Sequence, residues 1–185
     1  MAPRPGLNRD KVLAAAAELV DREGPEALTV ARIAAHLQVR PPSLYNHMLS
    51  LEQLQQDLAV RGLRELGGRL RAAATGLAEL NALTALAHAY RDFAAQHPGL
   101  YALTLRARND GAGYAAAAAD IVAVVLAVLR GYALSDEAAL HATRCLRSAI
   151  HGFVALEAAG GFGMPLDLNA SFSRLIQMLH QGLKR

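Results

Sequence analysis

Between Leu28 and Leu54, two short apolar stripes of helical period flank a break only two residues long. Val30, Ile33, Ala34 and Leu37 recur at the spacing of one helix face, and Gln38-Val39 form the turn. A second short helix starts at Pro41 or Pro42, buries Leu44 and ends near Met48. Thr29 stands where a hydroxyl caps the first of these helices, and Ser50 where one caps the helix after them. Proline is tolerated in a first turn because the N–H it lacks has no partner there. A helix of about eight residues, a tight turn and a second helix form a helix-turn-helix. An earlier helix, Arg9 to Arg22, closes its base with Val12, Leu13, Ala16, Leu19 and Val20 on one face, and Gly24-Pro25 end it.

The rest of the chain continues in helices. Hydrophobic residues make up 53 % of the 185, but aromatics only 5 % and Trp is absent, so a core must come mainly from Ala, Leu and Val. Ala and Leu are strong helix formers, and period-two runs are missing. The expected class is all-α, with a three-helix head over residues 1–52 and a helical-bundle body over 53–185. A fourth helix runs through Leu54, Leu58, Leu63, Leu66 and Leu70, where Gly67-Gly68 is a candidate bend. Further helices read as Asn81 to Gln96, Gly99 to Arg106, Gly113 to Tyr132, Ser135 to Ala159 and Asn169 to Lys184. Breaks fall at His97-Pro98, Asn109 to Gly113 and Gly160 to Pro165, and Met1 to Leu7 reads as a loose arm.

Several function classes are poorly supported. The single cysteine, Cys145, can form no internal disulfide, which suits a reducing compartment. No basic-then-apolar leader is present, and the most apolar run, Ile121 to Leu129, is too short to span a bilayer, so a cytoplasmic protein is expected. The seven His residues lack metal-ligand spacing. Gly111-Ala112-Gly113-Tyr114-Ala115-Ala116 mimics a dinucleotide fingerprint but follows a helix, with no acid about 20 residues on. With no nucleophile–base pair either, the expectation is a non-enzyme without metal or cofactor.

The second short helix offers Arg40, Pro42, Ser43, Tyr45, Asn46 and His47 on its outer side. Ser and Asn bond base edges, and Tyr and His reach phosphates. The net charge of +3 says little by itself. The first 48 residues carry Arg4, Arg9, Lys11, Arg22, Arg32 and Arg40 against five acids, so DNA binding must depend on where charges sit.

Thr29-Val30-Ala31-Arg32-Ile33-Ala34, then Val39-Arg40-Pro41-Pro42-Ser43-Leu44-Tyr45-Asn46-His47, then Ser50, Glu52 and Leu54 resemble the DNA-binding signature of the TetR family. The resemblance covers about 45 residues. It implies a homodimeric repressor that binds a double-stranded DNA operator and is released by a small molecule. It also implies that Arg40, Pro42, Ser43 and Asn46 face bases while Thr29, Tyr45 and His47 hold the backbone. The chain departs from the family at Gln38, where Gly is common, and at Met48, where Phe is usual. At Leu51 the family usually has a phosphate-binding Lys; its loss predicts weaker, less salt-sensitive binding. His97-Pro98-Gly99-Leu100-Tyr101 and His151-Gly152-Phe153-Val154-Ala155-Leu156-Glu157 resemble a subgroup named for a Trp-His-Gly motif, although Ile150 stands where that Trp would be.

In the body, the helix Ser135 to Ala159 has a bulky stripe, Thr143, Leu146, Ile150 and Phe153, and a face of mostly small residues, His141, Cys145, Ser148, Gly152 and Ala155. With the last helix (Phe172, Leu175, Ile176, Leu179, Leu183), doubling by a two-fold axis gives a four-helix dimer interface; core packing alone is the alternative. An apolar or aromatic effector is expected among Leu83, Leu86, Tyr90, Phe93 and His97, with Tyr101, Leu105, Cys145 and Ser148 completing the pocket. Each of these residues is also an ordinary core residue. A competing reading is a helical small-molecule binding protein whose DNA binding is weakened, as Leu51 and the low local charge suggest.

Overall fold

Asn8 opens the first helix, α1 (Arg9–Glu23), by accepting the Lys11 N–H on its side chain at 2.9 Å. In this computed structural model, which describes residues 6–106 and 111–184 with the Arg106 side chain left out, every regular element is helical. After α1 come a 3-10 turn at Pro25–Ala27, α2 (Val30–Leu37), α3 (Pro41–Leu44), α4 (Leu51–Ala74), α5 (Glu79–Gln96), α6 (Pro98–Arg106) and α7 (Ala112–Leu129). A 3-10 turn at Arg130–Tyr132, α8 (Asp136–Ala158) and α9 (Leu168–Leu183) complete the order. The all-α class holds, with a helix-turn-helix head and a helical body. Most helix ends match the sequence expectations within a residue or two, except that α3 stops at Leu44 and α7 gives way to the 3-10 turn at Arg130. Part of the break at Asn109 to Gly113 and of the arm before Leu7 lies outside the described residues.

The chain packs as two compact units. The first comprises Met1–Leu63 and Gln96–Ala115, so the start of α4 and all of α6 pack with the head. Its core is the face of α1 that repeats every three or four residues, Val12, Ala15, Ala16, Leu19 and Val20, with Leu28, Ile33, Leu44, Leu58 and Leu100. Asp21 pins α6 onto α1. Its carboxylate accepts the Leu100 N–H at 2.8 Å, a capping bond supplied from 79 positions away, and the other oxygen meets His97 Nδ1 at 2.8 Å. The two backbones touch at Gly99, where a Cβ would fall 2.0 Å from the Val20 carbonyl oxygen. Gly62 performs a similar role on α4, where a Cβ would meet Thr104 Cγ2 at 2.9 Å.

The turn between α2 and α3 ends in a left-handed residue. Gln38 has φ 57° and ψ 40°. Its N–H reaches the Ala35 carbonyl at 3.1 Å, and the Val39 N–H reaches that of Ala34 at 2.9 Å. This pair of bonds is a Schellman motif, which glycine accommodates without a Cβ clash. The family preference for Gly at this turn thus has a backbone cause.

The second unit comprises Arg64–Ala95 and Ala116–Arg185. Arg91 on α5 ties α8 and α9 together. Its Nε donates to Glu157 at 2.7 Å and its Nη1 to Asn169 Oδ1 at 2.8 Å, while the guanidinium lies 4.9 Å from the Phe172 ring centre. Phe172 is fully buried and meets His88 edge-on and Phe153 at a tilt. The bond to Arg91 holds the Glu157 carboxyl below the ordinary glutamate range. Near the end of α9, buried His180 bonds the Tyr132 hydroxyl at 2.7 Å, and burial pushes that phenol's pKa up.

Three expectations change. Gly67-Gly68 does not end α4, which continues to Ala74. A Cβ at Gly67 would meet Ile121 at 3.3 Å, so that glycine serves close packing by α7. The apolar stretch around Ile121 to Leu129 extends over Ala112–Tyr132, 21 residues, because the alanines before it count as apolar; by length and composition it is long enough to cross a bilayer. Only part of it is buried, a weak signal that the core helix of a soluble protein also gives. The second helix of the helix-turn-helix is a single α-turn, Pro41–Leu44, and Tyr45, Asn46 and His47 continue it as turns.

Gly99→Ala should cost ~3 kcal/mol in urea unfolding, because a side chain has no room against backbone. Gln38→Gly should raise stability by up to about 1 kcal/mol in the same assay, since relief of the left-handed strain exceeds the added freedom of the unfolded chain. Glu157 stabilises the fold at and above its ordinary pKa of about 4.3, and that contribution fades as pH falls through its lower folded value. The stability gap between the native chain and Glu157→Gln should therefore be ~1–2 kcal/mol at neutral pH and shrink below about pH 4 in urea titrations.

Candidate nucleic-acid interface

Leu44 is fully buried, as Leu28, Ile33, Ala34, Met48 and Leu54 are buried, so the segment Arg40 to His47, expected to meet DNA and called the recognition turn below, is anchored on the core of the head. Burying Leu44 turns its neighbours outward. Arg40, Pro41, Pro42, Tyr45 and Asn46 are exposed, and Ser43 and His47 are half-buried. The winding is tight: the Ser43 N–H bonds the Arg40 carbonyl at 2.9 Å, and the His47 N–H bonds that of Leu44 at 2.8 Å. These three-residue steps keep the segment helical in sense while shortening its regular α part. Tyr45 leaves 58 % of its surface in water, although a ring of that size is normally buried against something.

The flanks are fixed by caps. The Thr29 Oγ1 accepts the Arg32 N–H at 3.3 Å, and the hydroxyl proton stays available to donate from an exposed position. The Ser50 Oγ accepts the Gln53 N–H at 3.0 Å and starts α4. Leu51 is half-buried in that first turn beside exposed Glu52.

Charge is sorted over the head. Arg32 and Arg22 share Glu23, and His36 Nε2 meets Glu18 at 3.1 Å, so these bases of α1 and α2 are matched by α1 acids. Arg40, at the start of the recognition turn, pairs with no acid among the described residues. It is thus positioned to meet an anion.

A cavity of about 420 Å³ joins Tyr45, Asn46 and His47 to Arg9, Gln53 and Asp57. The last three were not among the sequence candidates. Arg9 and Asp57 are 48 positions apart, and no local spacing signals that they meet.

The expected effector-site residues fall in both units. Leu83, Leu86, Tyr90 and Phe93 lie along the buried side of α5 in the second unit. His97, Tyr101 and Leu105 belong to the first unit, where His97 holds Asp21, Tyr101 is buried and Leu105 is 43 % exposed. Cys145 and Ser148 are exposed on α8, opposite the buried side that carries Ala142, Leu146, Ile150 and Val154. They do not join the α5 residues, because the small-residue side of α8 faces outward. A separate cavity of about 350 Å³ in the second unit is lined by Arg71, Thr75 and Leu77 with Val124, Ala127 and Val128 of α7. Among the described residues no cluster of His, Cys, Asp or Glu is set to hold a metal ion.

Comparison with known proteins agrees with this geometry. The family of bacterial regulatory proteins of the tetR type matches residues 12–54, and the tetracyclin repressor-like C-terminal domain matches residues 83–179. The HTH-type transcriptional regulator YobS of Bacillus subtilis is 40 % identical over 99 % of this chain and 96 % of its own length. The HTH-type transcriptional regulator Rv0681 of Mycobacterium tuberculosis is 36 % identical over 97 % of this chain and 83 % of its own. A TetR variant of Acinetobacter baumannii, crystallised with minocycline, shares the fold with a TM-score of 0.72 at 22 % identity, over 97 % of this chain and 98 % of that one. The chain belongs to the TetR family, and it is a helix-turn-helix transcriptional regulator that binds DNA, not an enzyme.

Proposed function

We propose that the chain is a homodimeric, cytoplasmic repressor whose residues 1–52 read an operator and whose residues 53–185 dimerise and take up a small effector. The observation that carries this reading is the outward presentation of the recognition turn around a buried Leu44. Arg40, Pro42, Ser43 and Asn46 meet base edges in the major groove, and Thr29, Tyr45 and His47 hold the phosphate backbone. In a dimer the two turns read half-sites one duplex turn apart, ~34–36 Å.

The dimer reading is supported by the outer sides of α8 and α9. Leu140, Leu156 and Met178 are exposed by 52 %, 51 % and 71 %, and they accompany the small residues Cys145, Ser148 and Ala155. Small residues let helices approach closely, and large apolar ones gain by leaving water. An effector, apolar or aromatic in character, is supported by the α5 stripe of Leu86, Tyr90 and Phe93 and by the minocycline complex of a protein with this fold. Release requires that the effector bind one spacing of the heads better than the other.

Ser43→Ala and Asn46→Ala should each cost ~1–3 kcal/mol for every base pairing lost, roughly 5- to 150-fold in affinity for the duplex upstream of the protein's own gene. Tyr45→Ala should weaken all duplexes alike. Unchanged anisotropy titrations for all three variants would remove the recognition turn from the interface.

A further inference from the structure

The cavity beside the recognition turn is lined by an ion pair, Arg9 with Asp57. Arg9 Nη2 donates to Asp57 Oδ2 at 2.6 Å, and Gln53 Nε2 donates to Asp57 Oδ1 at 3.2 Å. The carboxylate is fixed from two sides and its side chain is only 23 % exposed, whereas the Arg9 side chain is 64 % exposed. The guanidinium is therefore held at one place while still facing water. It has more N–H donors than one carboxylate oxygen takes up, in a fork that suits phosphate. An exposed pair of this kind contributes little by itself, and the remaining N–H donors of Arg9 can serve a phosphate while Asp57 still holds the group.

Few of the described cations near this cavity are placed on its lining, Arg9 being the arginine that lines it. The first turn of α4 has Leu51 and Glu52 where a basic residue would serve a phosphate, and Arg22 and Arg32 are matched by Glu23. Tyr45 and His47, both assigned to the DNA backbone above, line the same cavity as Arg9.

We propose that Arg9, held beside Tyr45 and His47 by Asp57, is a DNA phosphate contact that supplies the backbone cation missing at Leu51. This inference depends on the DNA-binding reading, and the experiment separates the two. The full-length protein is titrated against a fluorescent random-sequence duplex of about 30 base pairs, from about 50 to 200 mM KCl, and log K is plotted against log[salt]. Arg9→Gln should bind more weakly and lower the magnitude of the slope by about 0.9 for each head bound. Arg9→Lys, which keeps the charge, should retain the slope. Arg22→Gln, an equal charge loss at the Glu23 pair, should leave it unchanged. If urea unfolding shows Arg9→Gln to be unstable, the double variant Arg9→Ala with Asp57→Ala removes both partners and should show the same loss of slope. Equal slopes for Arg9→Gln and the native protein, or a slope lost in Arg9→Lys as well, would overturn the proposal while leaving DNA binding intact. A native protein that binds no duplex at the lowest salt would overturn the DNA-binding reading and this contact with it.

Discussion

The close contact of α6 with α1 holds the first unit together. A main-chain glycine lies against the Val20 carbonyl, and the Asp21 carboxylate satisfies the N-terminus of α6. Backbone in contact with backbone leaves no side chain to flex, so α1 and α6 behave as one piece. The face of α1 that packs within this unit also supports α2, and α2 supports the recognition turn. The orientation of Tyr45 and Asn46 is therefore traceable, contact by contact, to a residue more than fifty positions away in the chain.

The second unit uses a different device. Arg91 satisfies a carboxylate, an amide and two aromatic faces at once, drawing three helices to one guanidinium. A partly buried arginine tolerates this because its charge is delocalised and its donors point in several directions. The outer side of α8, by contrast, is left with alternating small residues, arginines and isolated leucines. The two sides of that helix differ: one closes a core within the chain, and the other, left exposed, is the side proposed above to meet a second chain.

Electrostatics in the head follow the same division of labour. Acids on α1 meet Arg32 and His36 of α2, leaving Arg40 with no acid partner among the described residues and Arg9 held on Asp57 nearby. A modest net charge of +3 is thus compatible with nucleic-acid binding, since local placement, not the sum, sets the field that phosphates meet.

Period and punctuation in the sequence determined the helical class, nearly every helix, the caps at Thr29 and Ser50 and the buried role of Leu44. These are local quantities: side-chain spacing of three and four, hydroxyls before apolar runs, and Gly or Pro at breaks. The outward placement of Arg40, Pro42, Tyr45 and Asn46 was legible for the same reason, since they flank a Leu44 that turns in. Tertiary structure decided which helices share a unit, that Gly67 lies against Ile121, that Cys145 and Ser148 are exposed, and that Arg9 meets Asp57. Such facts depend on pairs of residues far apart in the chain, whose encounter is set by helix crossing and backbone approach and leaves no periodic trace in the order of amino acids.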